Sequence, residues 1–271
     1  MIPASVRPPA VAGRFYPGDR AELAAAVDQY LHAEGQPQRA IACLAPHAGY
    51  MYSGHVAGAV YGAIELPRRF IILGPNHGGR GEPLATWHAG AWATPLGNAV
   101  IDAELAANLT DALPQLMQDP LAHRYEHSIE VQLPFLQRAA GEFAFVPICV
   151  GTAEFEVLMA LGAAIAAVVE AADEPILLVC SSDMNHYEPD AATRAKDAHA
   201  IAPMLGLNAG ALAEAVGRER ISMCGFAPAV AMLAAGRILG AGAGKLVKYA
   251  TSADVNHDLS YCVGYAGMTF A

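Results

Sequence analysis

Short apolar runs alternate with longer helical stretches along almost the whole chain, and no other feature constrains the fold as strongly. The runs Ile41–Ala45, Phe70–Leu73, Phe143–Val150, Ile176–Ser181, Lys245–Thr251 and Tyr261–Phe270 are too short for stable helices and read as strands. The stretches Asp19–His32, Ser53–Ile64, Asp102–Leu113, His127–Ala139, Ala153–Ala171, Ala200–Val216 and Phe226–Leu239 read as helices, the first opened by the turn Tyr16-Pro17-Gly18-Asp19. Parallel strands need a crossover between them, and a helix is the usual one. The alternation therefore predicts an α/β fold, a largely parallel central sheet flanked by helices.

Composition agrees. Hydrophobic residues make up 54% of the 271 positions and charged residues only 15%, as expected of a sheet buried on both faces. No repeat, low-complexity linker or composition break divides the chain, so a single domain over residues 1–271 is expected. The net charge of −10, with no basic run, argues against nucleic acid and anionic membrane surfaces as partners. The most apolar stretch, Val157–Ala172, is short, Ala-rich and begins beside Glu154 and Glu156, so it reads as a buried helix rather than a membrane span. The N-terminal residues show no signal-peptide core. The five cysteines are scattered, and Cys43, Cys149, Cys180 and Cys262 sit in strand-like runs where a thiol acts as a small hydrophobe. A reduced cytoplasmic protein is the expectation.

Three of the strands run straight into a histidine: Ala45-Pro46-His47, Gly74-Pro75-Asn76-His77 and Ser181-Ser182-Asp183-Met184-Asn185-His186. Ligands of open α/β sheets bind outside the carboxyl ends of the strands. If these strands are parallel, their histidines share one rim and offer imidazoles for a metal or for acid–base work. Cys224 stands apart from the other cysteines, just before the helix that begins at Phe226. A thiol at a helix N-terminus can have a lowered pKa and act as ligand or nucleophile. A structural cysteine at a helix start is the alternative. Asp183 can be a ligand, a base or a turn residue. His127 and Glu130, three residues apart, would share a helix face and could orient an imidazole or a water; capping by Glu126 or Ser128 is the plainer alternative. His55, early in its helix, is expected to face the same rim, as a substrate contact or a solvated side chain. His32, His88, His123, His199 and His257 read as surface, structural or loop residues. Gly78-Gly79 belongs to no phosphate-binding motif.

A family resemblance rests on these residues together. Arg7-Pro8-Pro9-Ala10-Val11-Ala12-Gly13-Arg14-Phe15-Tyr16-Pro17, Pro46-His47-Ala48-Gly49-Tyr50 with Tyr52-Ser53-Gly54, Gly74-Pro75-Asn76-His77, Glu126-His127-Ser128-Ile129-Glu130-Val131-Gln132-Leu133-Pro134-Phe135, Ser181-Ser182-Asp183 with His186, and Cys224-Gly225 follow the order seen in the MEMO family. This is the B component of the AmmeMemoRadiSam set, and the resemblance runs nearly end to end. It implies a fold similar to class III extradiol dioxygenases, which use non-haem iron. It implies metal-site positions at His47, His77 and Cys224, with His186 and Asp183 as further pocket positions. Tyr52, His55, His127 and Glu130 are expected around the metal or the substrate. Those dioxygenases hold Fe(II) with two histidines and a carboxylate, whereas a thiolate stands here. Iron (Fe2+) is the expected metal, zinc and copper also suit the softer donor set, and ring-opening chemistry does not follow from the fold.

These readings converge on a metal-dependent, dioxygenase-like redox enzyme, with His186 as acid–base and Asp183 orienting it. The rival is a non-catalytic adaptor that binds metal or peptide. A metal-free hydrolase using Cys224 and His186 would leave His47 and His77 without a task. A small molecule or peptide is expected in the strand-end pocket. The family set also suggests a functional link to a radical SAM protein.

Overall fold

The computed structural model of the protein describes residues 6–31 and 35–271. In chain order they form β1 (Val6–Arg7), α1 (Arg20–Tyr30), β2 (Ala42–Ala45), α2 (Tyr50–Gly62), β3 (Arg69–Pro75), β4 (Leu84–Thr86), β5 (Ala91–Thr94), β6 (Gly97–Ile101), α3 (Ala103–Ala112), β7 (Met117–Gln118) and α4 (Pro120–His123). A 3-10 turn, Glu130–Gln132, leads into α5 (Leu133–Ala139), β8 (Ala144–Val150), α6 (Phe155–Glu170), β9 (Ile176–Ser181), β10 (His186–Glu188), α7 (Asp190–Leu205), α8 (Ala209–Glu219), α9 (Phe226–Ile238), β11 (Gly244–Thr251), α10 (Ala253–Asn256) and β12 (Cys262–Phe270).

The heart of the sheet is the parallel set β8-β3-β9-β2. Antiparallel β12 closes it beyond β2, and β11 pairs with the outer side of β12. Side chains alternate between two cores, as a pleated strand requires. Ala42 and Leu44 of β2 and Leu178 and Cys180 of β9 pack in one cluster with residues of α3, α6 and α9. Cys43, Ala45, Leu177 and Val179 face the other way, into a cluster with residues of α1, α2 and α5. Burial on both faces is why these strands read as unbroken apolar runs. Cys43, Cys149, Cys180 and Cys262 are buried free thiols on strands. No helix among the described residues is long and apolar enough to cross a membrane.

The structure corrects three expectations. The expected helix Ala200–Val216 is two helices, α7 and α8. Leu207 between them takes a left-handed φ of 48°, and the Asn208 side chain accepts from Ala211 N to cap α8. Both helices bury apolar residues, Ala200 and Met204 in one and Leu212 in the other, so the hydrophobic period runs on across the break. The expected helix His127–Ala139 begins at Glu130, leaving His127 outside it. The short strands β4, β5, β6 and β10 were not expected; each has five residues or fewer and takes its stability from pairing with neighbours. His32 lies outside the described residues.

Candidate metal centre

His47 follows β2, His77 follows β3, and Cys224 lies just ahead of α9. One ligand atom from each of the three lies within 4.8 Å of the other two. His47 Nε2 is 3.2 Å from Cys224 Sγ, and the His47 and His77 rings meet edge to face at 5.2 Å between centroids. Two glycines allow the close backbone approach. A Cβ on Gly225 would stand 2.3 Å from Ser182 Cβ, so only glycine lets the start of α9 reach the end of β9. A Cβ on Gly74 would stand 2.5 Å from Ser128 Oγ, where the segment 126–129 crosses β3.

The outer nitrogen of each rim histidine is held. His77 Nδ1 is 2.9 Å from Glu126 Oε1. His186 Nδ1 is 2.9 Å from the Ser222 carbonyl, which can only accept, so that nitrogen carries the proton. His47 Nδ1 is 2.9 Å from Ser181 Oγ. Such outer hydrogen bonds orient imidazoles and leave Nε2 for a ligand. His77, Glu126 and His127 also bring ligand atoms within 4.8 Å of one another. Glu126 is already committed, however: Oε1 faces His77 Nδ1 and accepts from His127 N and Ser128 N, while Oε2 accepts from His77 N. It acts as the orienting carboxylate of His77, not as a ligand of a second centre.

Electrostatics separate the ligands. Burial, with the neighbouring His77 charge, drives His47 down to about 3, so it stays neutral, the form that binds metal. Burial and His47 likewise lower His127 to about 4. Burial also pushes His77 downward, but its hydrogen bond and charge attraction to Glu126 outweigh that and raise it. Burial raises Glu126, yet the His77 hydrogen bond, the His77 charge and Ser128 N bring it down to about 2. Cys224 takes the buried of the two readings open to it. Burial first, then the Asp183 carboxylate, push its thiol up, overriding any help from the helix start. A bound cation is what would deprotonate it.

Asp183 is buried and does not orient His186. Its Oδ1 accepts from His47 N at 2.8 Å and from Ala48 N at 3.2 Å, holding the loop after β2. Burial raises its carboxyl. Ser222 holds His186 instead, its Oγ accepting from His186 N at 2.8 Å and its carbonyl taking Nδ1–H. His127 does join the cluster, stacked on His77 at 4.6 Å and edge-on to His47 at 5.4 Å, with Phe15 on it.

Of the remaining expected residues, Glu130 is engaged elsewhere. Glu130 is fully buried, paired with Arg7 at 2.6 Å and accepting from Ala10 N, Val11 N and Tyr16 OH. His55 sits in the second turn of α2, with the charges of Lys248 and Asp254 near it and its Nδ1 without a hydrogen-bond partner among the described residues. Tyr52 packs with Val56, Ala250, Tyr265 and Ala48, the residue that follows His47. His123 is buried against Trp92, and His199 pairs with Glu219. The sequence assigned no orienting role to Glu126, Ser181, Gln132 or Ser222; the adjacency of Glu126 to His127 was the one available signal. On the open side Tyr187, 60% exposed with φ of 64°, stacks on Tyr261, 58% exposed, at 5.0 Å and meets His186 at 5.4 Å.

A largely parallel α/β sheet carrying a histidine–cysteine cluster at its strand ends is the class that fold and site define. The chain belongs to the Memo-like protein family, whose model matches residues 7–269. It is 44% identical over 269 residues to a MEMO1 family protein of Aquifex aeolicus, covering 98% of this chain and 99% of the relative. It is 41% identical over 278 residues to a MEMO1 family protein of Methanopyrus kandleri, covering 97% and 98%. The crystal structure of the uncharacterized protein JW3007 from Escherichia coli K12 shares the fold, with a TM-score of 0.58 at 13% identity, covering 85% of this chain and all of that one.

Proposed function

We propose that the protein binds a redox-active divalent metal, Fe2+ in the first instance, through His47, His77 and Cys224, and performs dioxygenase-like redox chemistry on a small molecule at the strand-end rim. The supporting observation is the mutual approach of these three ligand atoms, all within 4.8 Å. The donor set fits: His47 is neutral, and the outer nitrogens of His47 and His77 are engaged. Two imidazoles and a sulfur suit iron, zinc or copper. When bound, iron would supply one-electron redox chemistry. The chain's own residues do the rest. Glu126 and Ser181 hold the imidazoles, and Asp183 fixes the loop that carries His47. His186 keeps its proton at Nδ1 and offers Nε2 to a substrate hydroxyl, a proton transfer worth roughly 10²–10⁴-fold in rate.

Anaerobic purification followed by metal analysis and titration with Fe2+, Zn2+ and Cu2+ tests the reading. One equivalent of metal, lost in His77→Ala, is expected; a chain that takes up none overturns it. A second reading, a metal- or peptide-binding adaptor without turnover, draws support from the exposed aromatic surface of Tyr187 and Tyr261 beside His186. Oxygen consumption with a panel of catechols separates the two: steady turnover that requires His186 removes the adaptor reading, and its absence with every compound favours it.

A further inference from the structure

We infer that Ser181 is a positioning residue that dictates which nitrogen of His47 carries the proton, and so aims the His47 lone pair at Cys224. A hydroxyl has one hydrogen to donate and two lone pairs to accept with. Ser181 Oγ has three polar neighbours, and they match that inventory. The Ser128 carbonyl, 2.6 Å away, can only accept, so it takes the hydroxyl hydrogen. Gln132 Nε2, 2.8 Å away, can only donate, so it takes one lone pair. The Gln132 amide cannot be turned round, because Nε2 also donates to the Pro46 carbonyl at 3.0 Å while Oε1 accepts from Tyr61 OH at 2.8 Å. The third neighbour is His47 Nδ1, at 2.9 Å, and the remaining lone pair is all that Ser181 has left for it.

His47 Nδ1 therefore donates. If it presented a lone pair instead, one hydroxyl hydrogen would have to serve two buried acceptors, and one would go unmet. With its proton at Nδ1, neutral His47 holds a lone pair at Nε2, and that atom faces Cys224 Sγ at 3.2 Å. Distance is set by the sheet. Ser181 is the residue of β9 in register with Ala45 of β2, two positions before His47, and it is fully buried.

The tautomer assignment concerns the metal-free chain and stands apart from the proposed function; only its consequence for metal affinity rests on that reading. Long-range 1H–15N correlation on metal-free, 15N-histidine-labelled protein tests it. Wild-type His47 is expected to show a protonated Nδ1 and an unprotonated Nε2. Ser181→Ala is expected to show a mixture of tautomers, and Ser181→Thr, which restores the hydroxyl, a return to one. A wild-type Nε2–H, or an unchanged single tautomer in Ser181→Ala, overturns the inference. The wild-type spectrum decides the matter even if the alanine variant fails to fold. Titration with Co2+ alone, read by its thiolate absorption, is expected to show affinity weakened about 10–100-fold in Ser181→Ala and recovered in Ser181→Thr. If the tautomers shift as expected but even wild type takes up no Co2+, the metal reading fails and the Ser181 assignment survives.

Discussion

Glu126 and Glu130 lie four residues apart on one short segment, both buried, and each gathers four donors, yet they do different work. Glu130 faces the N-terminal arm: Arg7 Nη1, Ala10 N, Val11 N and Tyr16 OH all point at it. Its main partner is a planar guanidinium that also binds two backbone carbonyls, so the cluster is a fixed clamp. Glu126 faces the rim, taking His77 Nδ1, His77 N, His127 N and Ser128 N. Its main partner is the imidazole of His77, which also belongs to the His47–His77–Cys224 group, so this cluster is part of the candidate metal centre. Arg7 touches both, donating to the Glu130 carboxylate and to the Glu126 backbone carbonyl. Two buried carboxylates thus become scaffold and candidate-site component through what faces them.

The largest expected effect is on the scaffold side. Glu130→Ala leaves Arg7 buried without a counter-charge and should destabilise the fold by about 3–5 kcal/mol, read by urea unfolding. A loss below about 1 kcal/mol would erase the distinction between the two acids. Glu126→Gln should instead weaken metal binding about 10–100-fold, measured by competition with a chelator, while costing less stability than Glu130→Ala. Equal metal affinity in the two proteins would remove Glu126 from the site.

The pH dependence sharpens the same contrast. Glu126 is held at about 2, below the ordinary 4.5, so its stabilising contribution is full above about pH 4.5 and is lost as pH falls through about 2. His77 is raised above 6.5, so the stability it gains from Glu126 is full below its ordinary value and is lost as pH rises through the raised one. Unfolding of the metal-free protein across pH should show both limbs in wild type and lose both in Glu126→Gln. The smallest expected effect is that of Tyr16→Phe, which removes one donor from Glu130 and should cost about 1.5 kcal/mol with no change in metal affinity.

Much of the frame was legible in the chain. The six apolar runs are strands, and His47 and His77 follow two of them at their carboxyl ends while His186 opens β10 after the third, because a strand buried on both faces must be apolar throughout and its polar residues can appear only where it leaves the sheet. Breaks between helices were harder to see, since α7 and α8 carry one hydrophobic period across Leu207. The state of Cys224 was left open for a related reason: its place before a helix is local and visible, while the burial that raises its thiol comes from the packed whole. His127 and Glu130, expected to cooperate, face different clusters because the segment turns before it becomes helical.

The sequence by itself determined the parallel α/β sheet, the strand-end histidines and Cys224 at a helix start, since run length, period and turn residues are properties of neighbours along the chain. Only the tertiary structure decided which nitrogen of each histidine is held and which carboxylate serves the rim. Those choices are hydrogen bonds between residues 134 positions apart for His47 and Ser181, 49 for His77 and Glu126, and 36 for His186 and Ser222. Hydrogen-bond direction depends on the full set of donors and acceptors around an atom, and that set exists only once distant segments have packed together.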